Sequence, residues 1–336
     1  MRRVRSGVQR YAISGLLVAC FALAPFHARA GDPPTVKIAV LKFGTVSWVL
    51  DVVTHHRLDR SNGFKLEVVA YAGTQATKVA FQADATDIIV SDWLWISRQR
   101  AMGRDYTFVP YSRSVGALLV AEASPVRSLA DLRGKKVGIA GGPLDKSWLI
   151  LNGYARKSKG INLRTETEQV FAAPPLLSRK AAQGELDAIL TYWHFSARLE
   201  ATGFRRIVGV QEAARGLGVK SPVPMIGFVF RDNWAAQHPT LARGFRAAIS
   251  DALEILRTSD AEWRRIRPVM RTADDLTWQT LRSRFREGLA ETRGDADDQL
   301  KHDLEVLYGV LASVGGEKLV GPAKVLSPGT LWDSKN

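Results

Sequence analysis

Cysteine is nearly missing from this chain: Cys20 is the only one in 336 residues. If the chain is cut after Ala30, as its N-terminus suggests, none remains. That excludes disulfides, thiolate metal sites and cysteine nucleophiles together. Histidine is also sparse, with His27, His55, His56, His194, His238 and His302 making up the set. Only His194 falls at a strand end, and no metal-type spacing accompanies it. No acid/base or nucleophile constellation is apparent, so catalysis is not expected. No apolar run reaches the ~20 residues of a membrane span. No low-complexity tract or basic-aromatic array is present, so neither disorder nor nucleic-acid binding is expected.

The composition is that of a globular protein, 46% hydrophobic and 24% charged, and the length allows two cores. Arg2, Arg3, Arg5 and Arg10 precede a mostly apolar stretch, Tyr11 to Phe26, and then a small-x-small cleavage site, Ala28-Arg29-Ala30. Residues 1–30 therefore read as an export signal, and the mature chain is expected to be exported. Leu17-Val18-Ala19-Cys20 resembles a lipobox, but the apolar residues that continue past it favour cleavage after Ala30 over lipidation at Cys20. Removing residues 1–30 takes away five arginines and no acid, so 42 cations face 33 acids, a net +9. The basic residues are scattered and give at most a weak bias toward anionic ligands.

One stretch occurs twice. Ala85-Thr86-Asp87-Ile88-Ile89-Val90-Ser91-Asp92-Trp93 returns as Glu185-Leu186-Asp187-Ala188-Ile189-Leu190-Thr191-Tyr192-Trp193. Each copy has an aspartate, three apolar residues, a hydroxyl residue, a polar residue and a tryptophan. Short apolar runs of this kind suit parallel strands covered on both faces, and a helical pattern follows each. Around them the chain alternates strand and helix with short connections, so the fold class is α/β. Each lobe is expected to be a mostly parallel sheet flanked by helices. Ala123-Ser124-Pro125 and Pro222-Val223-Pro224 read as links between lobes. The expected division is lobe 1 at 31–121 plus 225–336 and lobe 2 at 122–224, with hinges near 121–127 and 221–226. The helices after Asp232 are expected to pack on lobe 1.

Several segments resemble the periplasmic substrate-binding proteins of ABC importers, in the nitrate/sulfonate/taurine-type family. They are Ser128-Leu129-Ala130-Asp131-Leu132-Arg133-Gly134-Lys135-Lys136-Val137-Gly138, the Gly141-Gly142 turn, Gly184-Glu185-Leu186-Asp187-Ala188 and Gly73-Thr74. The resemblance covers about residues 35–260. It implies a two-lobed periplasmic-binding-protein fold (type II-like) that takes a small-molecule ligand between its lobes. It also implies a periplasmic location and docking of the closed form on an ABC permease in the inner membrane. The chain is expected to act as a monomer without a cofactor. The ligand would be a sulfonate, a nitrate-like ion or another small organic solute. Two alternatives stand beside this: a cation or metal-complex binder, and a ligand-sensing periplasmic subunit.

Ligands of open α/β sheets sit beyond the carboxyl ends of the strands, which selects the candidate site residues. Gly44-Thr45 (with Phe43 in the same loop), Gly73-Thr74 and Gly141-Gly142 each precede a helix whose N–H groups can hold an oxyanion. Trp48, Trp93 and Trp193 stand at strand-to-helix junctions, where each either faces the ligand or covers the sheet end. Ser91-Asp92 and Thr191-Tyr192 occupy equivalent positions of the repeat. Asp92 is either a helix cap or a carboxylate that suits a cation, amine or hydroxyl. Asp145, with Lys146 beside it, raises the same question. Arg113 either clamps an acid or is a solvated hinge residue. Asp87 and Asp187 precede their strands and are expected to be structural, away from the site.

Overall fold

The computed structural model describes residues 32–272, 274–290 and 297–333; the export segment expected at residues 1–30 lies outside them. Among the described residues, ten strands form two five-stranded sheets. They are β1 (Thr35–Leu41), β2 (Lys65–Tyr71), β3 (Ile88–Ser91), β4 (Tyr106–Ser112), β5 (Ala117–Ala121), β6 (Lys136–Ala140), β7 (Glu168–Ala172), β8 (Ala188–Thr191), β9 (Phe204–Gly209) and β10 (Ile226–Arg231). The orders are β2-β1-β3-β10-β4 and β7-β6-β8-β5-β9.

These two orders are the same plan. In each sheet the first three strands pair in parallel. The fourth is antiparallel to both of its neighbours. It enters each sheet from the other lobe, and the rest of each sheet is parallel, as crossover helices require. The repeat sits at equivalent places. Asp87 accepts a hydrogen bond from Lys37 N at 2.8 Å and Asp187 one from Lys136 N at 2.8 Å. Each aspartate thus fixes the start of the neighbouring strand, at the end opposite the strand-to-helix junction.

The first passage between lobes is Arg113–Gly116, not 121–127. β5 was expected in lobe 1, but it pairs with β8 and β9 of the second sheet. Ala123-Ser124-Pro125 is a turn inside the second lobe, held by Arg205 through Ser124 O at 2.9 Å and Val126 O at 2.5 Å. Two apolar strands four residues apart read alike whether they share a sheet or not, so the sequence pattern missed the exchange. Gly116 makes this passage possible: a Cβ there would lie 1.6 Å from Thr191 O, so the passage runs directly against the end of β8. The second passage runs through Pro222-Val223-Pro224 into β10.

The C-terminal helices also depart from expectation. The helices Pro239–Thr258 and Asp260–Met270 cover the first lobe. The long helix Asp298–Gly315 instead packs on Lys146–Lys159 of the second lobe, burying Leu304, Leu307, Tyr308 and Leu311. Its Asp303, fully buried, accepts from Lys220 N (2.8 Å) and Ser221 N (2.9 Å), anchoring the second passage. The chain then returns to the first lobe, where Ser327 N donates to Ser97 Oγ at 2.9 Å and Trp332 N to Phe108 O at 3.0 Å. No helix among the described residues is long and apolar enough to cross a membrane.

Candidate functional site

A cavity of about 280 Å³ opens where the carboxyl ends of both sheets meet. One wall carries Gly44, Thr45, Val46, Thr74, Val90, Ser91 and Asp92; the other carries Asp145, Lys146, Ser147, Tyr192, Trp193 and His194. Ser114, Val115 and Gly116 of the first passage and Met225 and Ile226 of the second line it as well. Both copies of the repeat therefore reach the same space.

Five helices start around this cavity, at Val46, Thr74, Trp93, Lys146 and Trp193. Each start presents N–H groups and partial positive charge. Two starts are occupied by carboxylates. Asp92 accepts from Trp95 N at 2.9 Å, and Asp145 from Ser147 N at 2.9 Å and Trp148 N at 3.3 Å. The starts at Val46, Thr74 and Trp193 have no side-chain cap. One part of the site is thus neutralised by acids, and another has helix starts that no side chain caps.

Lys146 Nζ lies 3.1 Å from Asp92 Oδ2, so the two lobes are joined by an ion pair across the cleft. Burial raises the Asp92 carboxyl, but the ammoniums of Lys146 and Lys78 and the Trp95 N–H outweigh it and hold the group below the usual carboxylate range. Burial opposes the charge on Lys146, yet Asp92 and Asp145 together raise its affinity for the proton. Asp145 is raised, because burial outweighs Lys146 and its two N–H donors. Burial raises Tyr192 as well, with Asp145 adding to it, and burial raises Tyr111 against a hydrogen bond with the Thr45 side chain. Burial and the nearby Arg198 charge push His194 down to about 4, so it is neutral at pH 7.

Four polar groups at the junctions have no hydrogen-bond partner within the protein: Ser91 Oγ, Trp93 Nε1, Thr191 Oγ1 and His194 Nδ1. Ser91, 7% exposed, and His194 line the cavity. Such atoms cost free energy unless a ligand or water satisfies them.

Of the residues expected at the site, Gly44, Thr45, Thr74, Ser91, Asp92, Asp145, Tyr192 and Trp193 line the cavity. Trp93 does not: it is fully buried in the core, packed under the sheet end. Trp48 is 4% exposed and belongs to an aromatic cluster with Trp263 and Phe285. Both follow the alternative of an apolar ring covering its sheet, where burial stabilises most. Phe43, 66% exposed, lies outside the cavity with the Arg271 guanidinium 5.0 Å from its ring centre. Thr191 is buried behind Gly116. Gly73, Gly141 and Gly142 shape the wall without lining it. Gly141 has φ 91°, and a Cβ there would meet Asp145 Oδ2 at 3.1 Å and Tyr192 Oη at 3.4 Å.

The cavity is also lined by Lys146, His194, Tyr111 and the passage residues Ser112, Ser114, Val115, Gly116, Met225 and Ile226, none of them among the residues expected to touch a ligand. Lys146 and His194 both carried a signal in the sequence, the first beside Asp145 and the second at a strand end. The passage residues carried no motif, because their place depends on the strand exchange.

Among the described residues, one group of three could hold a metal ion: His55, His56 and Glu262, with ligand atoms within 4.8 Å of one another. It sits at the far end of the helix Val46–His55 from the cavity. His56 Nε2 is 3.1 Å from Glu262 Oε2, and Arg265 occupies the other carboxylate oxygen at 2.6 Å. A cation there would have to compete with that guanidinium.

No curated protein matches the chain in sequence. Solved structures resemble it closely in fold. The alkanesulfonate-binding protein SsuA of Xanthomonas axonopodis pv. citri, bound to MOPS, superposes with a TM-score of 0.67 at 18% identity, over 90% of this chain and 99% of that one. The periplasmic aliphatic sulphonate binding protein SsuA of Escherichia coli gives 0.67 at 18% identity, over 90% and 93%. A ligand-binding component of an ABC-type import system from Staphylococcus aureus, with zinc bound, gives 0.65 at 12% identity, over 89% and 96%. The two-lobed α/β architecture is therefore that of periplasmic binding proteins. The sequence profile described as NMT1/THI5 like matches residues 60–261, more than half of the chain. The chain belongs to the NMT1/THI5-like family.

Proposed function

We propose that this chain is an exported solute-binding protein, which captures a small organic molecule between its two lobes and delivers it to an ABC importer permease. One observation carries the reading. The two copies of the repeat bring Ser91-Asp92 and Tyr192-Trp193 to opposite walls of one cavity, and polar atoms there lack protein partners. Membership of the family and the fold shared with importer components support it.

The lining chemistry narrows the solute. Val40, Leu41, Val46, Val90, Val115, Met225 and Ile226 offer an apolar seat. Among the described residues no guanidinium lines this cavity, and Lys146 is already paired with Asp92. A bare inorganic anion would leave most of this wall unused. The fit is to a solute with an apolar body, an acceptor for the open N–H groups at Val46, Thr74 or Trp193, and a donor for Asp145 or Asp92. A sulfonate with an organic body meets the first two conditions. Ligand would favour the lobe arrangement in which both walls touch it.

Native mass spectrometry of the protein as purified tests this, followed by calorimetric titration of the molecule found. The expected result is one solute bound per chain and released unchanged. Chemical conversion of the solute would contradict the binding role.

A further inference from the structure

A second cavity, of about 300 Å³, adjoins the first and shares Ser114, Val115, Gly116 and Trp193 with it. Its charge is different. Among the described residues, Arg113, Arg206, Arg215 and Arg284 line it, with Glu287 as the one acid.

The ion pairs account for only half of those guanidiniums. Glu200 takes Arg206 Nη2 at 2.8 Å and Arg284 Nε at 2.8 Å; Glu287 takes Arg284 Nη1 at 2.8 Å. Two arginines therefore share two carboxylates. Arg113 and Arg215 have no carboxylate partner among the described residues, and Arg113 Nε is buried without a hydrogen bond. An unpaired guanidinium donor away from water is costly, and its planar fork matches an oxyanion better than any other side chain does.

The place is as informative as the charge. Arg113 belongs to the first passage between the lobes, where its N–H donates to Gly288 O at 2.8 Å. Gln211 of the second lobe donates to Arg113 O and to Val223 O, both at 2.8 Å, and so ties the two passages together. An anion held between Arg113 and Arg215 would bridge the first passage to the second lobe.

We propose that this hinge cavity binds a doubly charged oxyanionic group through Arg113 and Arg215. The group has two possible sources: a free ion such as phosphate, or the anionic end of a solute whose body lies in the first cavity. The second source rests on the solute-binding reading above; the first does not.

Calorimetric titration of inorganic phosphate into the full chain, at neutral pH and constant ionic strength set by chloride, tests the proposal. One phosphate per chain is expected for a free ion. The double variant Arg113→Gln/Arg215→Gln should weaken it about tenfold or more, the loss of one to two charge-assisted hydrogen bonds. Arg215→Gln alone, at an exposed helix position, should weaken it in part and keep the circular dichroism of the parent. If the group belongs to the solute, phosphate alone gives no signal. The double variant then loses affinity for anionic solutes and keeps it for their neutral analogues. The proposal is overturned if phosphate binds the double variant as tightly as the parent. It is also overturned if neither phosphate nor any anionic solute distinguishes the two proteins. The phosphate arm remains readable even if no solute is found for the first cavity.

Discussion

At the end of β3, Trp93 is sealed in the core, and at the end of β8, Trp193 lines the cleft with its ring edge-on to Trp48 at 5.9 Å. The two tryptophans hold equivalent places in a repeated segment, on sheets with the same strand order. They differ because Trp193 leaves its own lobe and joins the Trp48–Phe285 cluster of the other. Their neighbours differ too. Asp92 corresponds to Tyr192, and Leu94, buried, corresponds to His194, which lines the cavity. Backbone-fixing parts of the repeat are thus kept alike, while the positions that reach the cleft diverge. A duplicated strand-to-helix junction supplies geometry twice and chemistry once on each wall.

Breaking the first copy at its tryptophan should have the largest effect. Trp93→Ala removes a fully buried ring and should cost ~3–5 kcal/mol in urea unfolding. Tyr192→Ala, at a position 39% exposed, should cost under ~1 kcal/mol. Similar losses for both would erase the contrast between the copies.

His194 gives the second copy a pH dependence that Leu94 cannot have. Its folded-state pKa is about 4 against an ordinary 6.5, so between these values the unfolded chain binds a proton that the folded chain does not. Stability is then fully present above pH 6.5 and is lost as pH falls toward 4, by roughly 3 kcal/mol over the window. Denaturation series across that range should show the slope in the parent and a much smaller one in His194→Gln.

The Asp92–Lys146 pair, made between the copy-one wall and the second lobe, comes next. Lys146→Met removes the ion-pair partner of a partly buried carboxylate, leaving only the more distant Lys78 charge, and should cost ~1–3 kcal/mol. Asp92→Asn/Lys146→Met together should cost less than the sum of the single changes, which a double-mutant cycle of unfolding free energies measures.

The two copies should behave alike only at their aspartates. Asp87→Ala and Asp187→Ala each remove one hydrogen bond to a strand N–H and should each cost ~1 kcal/mol. Unequal losses in thermal unfolding would show that the backbone plan is less symmetric than the register implies.

Much of this was legible in the residues. Alternation of apolar runs with helical periods marks the α/β class, because both signals are local. The repeat marks the cleft walls, because strand ends in such sheets gather on one edge. Trp93 and Trp193 could not be told apart, since both follow the same strand pattern and only the distant partners Trp48 and Phe285 separate them. The passage Arg113–Gly116 and the docking of Leu304, Leu307 and Leu311 on the second lobe were illegible for a related reason. Strand exchange and helix docking are decided by non-local pairing, which no short pattern records. The Lys146–Asp92 pair likewise spans 54 residues.

Both walls are expected to hold one solute. Titration of the co-purified solute into the parent, Ser91→Ala and Tyr192→Ala is the most direct test, since each variant alters one copy of the repeat. Ser91 Oγ has no partner to lose, so Ser91→Ala should leave the unliganded protein as stable as the parent. Both variants should bind the solute about tenfold more weakly, roughly 1.4 kcal/mol each. Parent-like affinity in both, with stability unchanged, would mean that the solute binds elsewhere and that the facing junctions are not its site.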